Sequence, residues 1–157
     1  MRILGIDPGT GILGFGIIET STRGECALVD GGVIRTPVHE DDAIRLLTIY
    51  EELTDIIANA KPEVMSVEKL FFARNVTTAM TVAQARGVVL LCGMQAGLTI
   101  YEYTPLQIKQ AITGYGKADK KQVQEMVRIL LKLPEIPKPD DAADALAAAL
   151  TCVQAVR

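Results

Sequence analysis

The 157-residue sequence has no tryptophan, a single histidine and three cysteines, and aromatic residues make up only 4% of it. The one histidine, His39, sits in an acidic loop (residues 38–42) and reads as a solvated residue, which argues against the histidine-based ligand sets of most zinc and non-haem iron sites. Cys26, Cys92 and Cys152 are odd in number and form no Cys-x-x-Cys pair. They read as free thiols of a reducing compartment rather than a disulfide framework. The longest apolar stretch, residues 87–94, is far shorter than the roughly 18 residues a membrane span needs. Met1-Arg2-Ile3 runs directly into a strand-like segment, unlike a signal peptide. A cytoplasmic chain with no membrane association is expected.

What is present is a hydrophobic content of 49% with 22% charged residues, enough apolar surface for one well-cored domain over residues 1–157. The formal net charge of −3 conceals an uneven distribution. Residues 19–63 hold ten acidic and four basic side chains, whereas residues 104–132 hold six basic side chains against Asp119 and Glu125. The second region suits a polyanion and the first does not.

Apolar alternation with glycine punctuation over residues 2–7, 11–19 and 25–35 predicts three successive antiparallel strands. Helical spacing of Ile44, Leu47, Leu53, Ile56 and Ile57 predicts a helix over 41–61 that Pro62 closes. A buried strand over 64–70, a long helix over 75–97 between Asn75 and Gly97, and a strand over 99–104 follow. Thr104-Pro105-Leu106-Gln107 and Asp119-Lys120-Lys121-Gln122 are capping-box patterns. They predict two helices, the second ending near Leu133. An alanine-rich helix then runs from Asp140 to the C-terminus. This order predicts an α/β fold of the ribonuclease H-like kind: a mixed five-stranded sheet, three antiparallel strands then two parallel, flanked by helices on both faces.

Four carboxylates stand out against this background. Asp7 ends an apolar strand and precedes Pro8-Gly9-Thr10-Gly11, where backbone can approach a ligand closely; a turn-capping aspartate is the plain alternative. Glu68 lies in Val64-Met65-Ser66-Val67-Glu68, a central-strand run in which an unpaired carboxylate is costly. Asp141 and Asp144, three apart, project from one face of the last helix. First-turn acids are common, which accounts for Asp140 and Asp141. Asp144 is flanked by Ala142-Ala143 and Ala145-Leu146-Ala147 and has no such account. Carboxylates in apolar settings, drawn from distant parts of a chain, point to a shared hard cation. Magnesium fits, with manganese able to substitute. Two ions per site, roughly 3.5–4 Å apart, would suit in-line phosphodiester displacement.

Gly5-Ile6-Asp7-Pro8-Gly9-Thr10, Glu68 with Phe71 three residues on, Gln84-Ala85-Arg86-Gly87 and Asp141-Ala142-Ala143-Asp144-Ala145-Leu146-Ala147 together resemble the RuvC family of bacterial Holliday-junction resolvases. The resemblance spans essentially the whole chain. It implies a ribonuclease H-like homodimer that cuts four-way junction DNA by two symmetric nicks with magnesium, working with branch-migration proteins of the RuvA and RuvB type. It places the catalytic acids on Asp7, Glu68, Asp141 and Asp144, the functional lysines on Lys109 and Lys120, and the aromatic that inserts near the junction centre on Phe71. Some members carry histidine where this chain has Asp141, so an all-carboxylate site is implied.

The residues add to this a basic group, Lys109, Lys117, Lys120 and Lys121, around Gly114-Tyr115-Gly116. It is suited to DNA phosphates, with Tyr115 packing or stacking and Arg74 joining. Between Val82 and Met94 the long helix is apolar nearly all round, more than one sheet face requires, and a second subunit would cover the surplus. Three other readings stay open on sequence alone. One is an actin-like nucleotide-binding lobe, which Asp7-Pro8-Gly9-Thr10-Gly11 also resembles. The others are a junction-binding protein with no catalysis and a ribonuclease H-like nuclease acting on RNA–DNA hybrids.

Overall fold

A computed structural model describes residues 1–69 and 76–156. In chain order its elements are β1 (Arg2–Asp7), β2 (Ile12–Thr20), β3 (Cys26–Arg35), α1 (Asp42–Ala60), β4 (Val64–Glu68), α2 (Val76–Gln95), β5 (Thr99–Tyr103), α3 (Pro105–Thr113), α4 (Lys120–Leu130) and α5 (Asp140–Ala155). The sheet order is β3-β2-β1-β4-β5. β1, β2 and β3 pair antiparallel, and β4 and β5 extend the other side of β1 in parallel, as the strand pattern predicts.

Side chains alternate across the central strands, so each strand feeds two cores. Ile3 and Val64 face one side and pack with Ile108 and Ile112 of α3, Val123 and Val127 of α4, and Leu146 and Leu150 of α5. Leu4, Ile6, Met65 and Val67 face the other, against Ile49, Leu53 and Ile57 of α1 and Ala85 and Val89 of α2. The exposed acids of α1, among them Glu51, Glu52 and Asp55, therefore lie across the sheet from α5.

Both capping boxes form. The Thr104 hydroxyl accepts from Gln107 N–H at 3.1 Å, while Gln107 Oε1 accepts from Thr104 N–H at 2.8 Å. Asp119 and Gln122 repeat the exchange at 2.8 and 2.9 Å. Gly97, at φ +72°, ends α2, with Leu98 N–H closing back on the Gly93 carbonyl at 3.0 Å. The largest boundary difference is at α4, which stops at Leu130, three residues early. Lys132 adopts φ +55° and Leu133 N–H reaches the Arg128 carbonyl at 2.9 Å, a C-terminal closure made without glycine and so without a sequence signal. The expected cap at Asn75 lies outside the described residues.

The three cysteines are free, Cys92 and Cys152 buried, and His39 is an exposed loop residue. Among the described residues no helix is long and apolar enough to cross a membrane. Within residues 82–94, Leu91 and Met94 are exposed, and Val76 and Met80 earlier on α2 extend this apolar surface.

Candidate active site

Strand parity brings the first two carboxylates together. Ile3, Gly5 and Asp7 of β1 and Val64, Ser66 and Glu68 of β4 point to the α5 side, and the pairing of Ile6 with Val67 sets Asp7 beside Glu68 at the C-terminal ends of adjacent parallel strands. Ser66 in the same row donates its hydroxyl to the Ala148 carbonyl at 2.7 Å, fixing α5 over β4. Ligand sites in open α/β sheets gather at such strand ends.

Small residues bring the other two. A Cβ at Gly5 would collide with the Ala145 carbonyl oxygen, and one at Gly14 with the Asp141 carbonyl oxygen. Gly14 pairs directly with Asp7 across β1 and β2. The first turn of α5 therefore rests on bare backbone next to Asp7. One oxygen from each of Asp7, Asp141 and Asp144 falls within a group whose members are all within 4.8 Å of one another.

This density of negative charge is visible in the titration of the group. Burial above all, then the nearby charge of Glu68 and a hydrogen bond to it, then Asp144 and Asp141, push the Asp7 carboxyl up to about 9. Asp7 therefore favours its protonated form beside Glu68. Glu68 is itself raised, chiefly by burial; the bond from Asp7 opposes the rise, Asp144 adds to it, and Lys120 and Lys109 oppose it. Burial also raises Asp144 against the pull of Lys120. Burial works against the Lys120 ammonium, yet Asp144 and Asp140 outweigh it and hold Lys120 above its usual range. The carboxylates are short of positive charge, and every donor is a hard oxygen. That is the setting a divalent cation fits.

Glu68, Asp144, Lys109 and Lys120 line one cleft of about 210 Å³, with Pro105, Ile108, Val123 and Ala147 as its apolar wall. Lys120 Nζ lies 3.2 Å from Asp144 Oδ2 and 3.5 Å from Asp140 Oδ2. A larger concavity of about 720 Å³, beside Met1, Glu25 and Leu28, lies at the other end of the strands and gathers no such group. Converging chemistry, not size, marks the site.

The basic group expected around Gly114-Tyr115-Gly116 divides in two. Lys109 and Lys120 line the carboxylate cleft, whereas Tyr115 and Lys121 line a separate groove of about 540 Å³ with Glu125 and Met126. Lys117 is exposed near this groove. Phe71 and Arg74 lie outside the described residues. Three features escaped the sequence reading. Gly14 carried a signal, since a glycine in a strand interior marks a close backbone approach. Asp140 reads from sequence as a first-turn acid, yet it pairs with Lys120 and accepts from Gln124. Arg86, in the Gln84–Gly87 stretch, pairs with Glu102 of β5 and ties α2 to the sheet edge.

A ribonuclease H-like sheet with an acidic group at the ends of β1 and β4, suited to a divalent metal, defines the class: a nuclease of that fold. The family model for crossover junction endodeoxyribonuclease RuvC matches residues 3–152. The crossover junction endodeoxyribonuclease RuvC of Heliobacterium modesticaldum is 58% identical over 156 residues, covering 99% of this chain and 96% of that protein. The structure of Thermus thermophilus RuvC superposes with a TM-score of 0.92 at 38% identity, covering 99% of this chain and 96% of that one. The same protein in complex with a Holliday junction substrate gives 0.90 at 36%, with the same coverage. The chain belongs to the RuvC family of crossover junction endodeoxyribonucleases.

Proposed function

We propose that this chain, as a single domain and a homodimer, resolves Holliday junctions by paired symmetric nicks in DNA recombination and repair, with Asp7, Glu68, Asp141 and Asp144 as its catalytic carboxylates. The observation that carries the assignment is the meeting of oxygens from Asp7, Asp141 and Asp144 within 4.8 Å, with Glu68 beside Asp7 at the end of the neighbouring strand. These four would hold magnesium, or manganese in its place, as two ions per site. When bound, the metal supplies Lewis-acid activation of water and stabilises charge developing on the phosphodiester oxygens.

The protein's own groups bind and orient. Lys109 and Lys120, which line the same cleft as Glu68, receive the scissile phosphate and offset its charge. The apolar wall formed by Pro105, Ile108 and Val123 limits water on that side of the cleft. Tyr115, Lys117 and Lys121 extend the DNA contact along α3 and α4, and Arg74 joins them. Phe71, three residues after Glu68, is the side chain that enters the junction. These contacts read backbone and shape.

The exposed Val76, Met80, Leu91 and Met94 of α2 support the homodimer, whose two-fold axis would match two symmetry-related strands of a four-way junction. Branch-migration proteins of the RuvA and RuvB type are the expected partners, in the cytoplasm. The test is cleavage of a synthetic four-way junction with magnesium, beside linear duplex and RNA–DNA hybrid controls. Selective paired nicking of the junction is expected; preferential cutting of the hybrid would overturn the substrate assignment.

A further inference from the structure

Lys120 stands between two carboxylates of α5. Asp144 Oδ2 is 3.2 Å from its ammonium and Asp140 Oδ2 3.5 Å. Asp140 and Asp144 are four residues apart, so they stack on successive turns of one helix face. The other oxygen of Asp140 accepts a hydrogen bond from Gln124 Nε2 at 3.1 Å. Gln124 is one turn after Lys120 on α4. One face of α4 therefore supplies both the ammonium and the amide that aims Asp140 toward it.

This arrangement matters once a cation is drawn to the carboxylates, and the inference rests on the metal site proposed above. Asp144 belongs to the oxygen group that would hold the cation. If Asp144 were the sole counterion of Lys120, ammonium and cation would compete for one carboxylate and repel each other. Asp140 offers the ammonium a second anion within the reach of a small side-chain rotation. It is exposed, so it carries little desolvation penalty of its own.

We propose that Asp140, aimed by Gln124, is a positioning residue: it takes the Lys120 ammonium when a divalent cation claims Asp144, and so keeps Lys120 on the cleft rim for a DNA phosphate. A first-turn acid that served only the helix dipole would act on the cation by its own charge, whatever stood at position 120. The two roles separate in a double-mutant cycle.

The cycle is read by Mn2+ binding to the full-length, DNA-free protein, followed by electron paramagnetic resonance, with single-turnover junction cleavage in parallel. In the native background Asp140→Asn is expected to weaken Mn2+ binding about fivefold, and Asp140→Glu to restore most of it. In a Lys120→Met background Asp140→Asn is expected to change binding by less than about twofold. Equal weakening in both backgrounds, or none in the native one, overturns the positioning role while leaving the metal site intact. Absence of saturable Mn2+ binding by the unsubstituted protein overturns the metal site and this inference together.

Discussion

On the α5 side of the sheet the helix comes so close that Gly5 and Gly14 have no room for a side chain. On the α1–α2 side, Leu4, Ile6, Met65 and Val67 meet Ile49, Leu53 and Ile57 in an ordinary aliphatic core. The first face trades side-chain volume for backbone proximity. That trade sets Asp141 and Asp144 against Asp7, and it leaves carboxylates buried without an equal positive charge. Among the described residues the second face holds no such group, and it carries the acids of α1 and the exposed apolar residues of α2 on its outside. One sheet thus has a face that crowds carboxylates together and a face with an ordinary aliphatic core and exposed apolar residues on its outside.

The sharpest break in this contrast comes from the carboxylates. Asp7→Asn, Glu68→Gln and Asp144→Asn should each lower junction cleavage by at least about a hundredfold, the scale of losing a group that stabilises transition-state charge, while gel-shift binding of the junction persists. The same face should be destabilised by its own charges when metal is chelated. Asp7 keeps its proton up to about 9 in the fold, against 3.8 ordinarily. The folded state therefore binds more protons between these values, and stability falls as pH rises through that window. Asp7→Asn cannot ionise, so in chelator its melting temperature should exceed that of the unsubstituted protein and vary less with pH. A lower melting temperature would contradict the crowded-charge account.

Substitutions that touch only packing should separate the faces. Leu53→Ala should cost about 2–5 kcal/mol in denaturant unfolding yet leave cleavage by the folded fraction unchanged. Gly14→Ala, meeting the Asp141 carbonyl, should cost about 1–3 kcal/mol and also impair cleavage, since it moves the backbone that presents Asp141. Equal effects on cleavage from the two would erase the distinction.

Smaller effects are expected at the edges of each face. Lys120→Ala should slow cleavage about tenfold and make binding less dependent on salt, as loss of one phosphate contact does; an unchanged salt slope would remove Lys120 from the DNA path. On the other face, Met80→Glu with Leu91→Glu should yield monomers in sedimentation while shifting monomer stability by no more than about 0.5 kcal/mol per residue. Dimers that persist would place the subunit contact elsewhere.

The elements and sheet order were legible because their signals are local: alternation in β1 to β3, capping boxes at Thr104 and Asp119, Gly97 at the end of α2. Glu68 and Asp144 were legible for a related reason, as acids in apolar runs with few structural uses. What stayed hidden depends on approach between distant segments. Gly14 gains its meaning only when β2 lies beneath Asp141, and Asp140 only when α4 brings Lys120 and Gln124 over α5. The lysines around Gly114 looked like one group in sequence, yet α3 and α4 turn Lys109 and Lys120 to the cleft and Lys121 to the neighbouring groove.

The most direct test of the central claim is cleavage of a four-way junction by the purified chain across a magnesium titration, run beside Glu68→Gln. The account predicts paired nicks that appear only with the cation and vanish in the variant while the junction stays bound. Nicking that proceeds in chelator, or that survives Glu68→Gln, would contradict it.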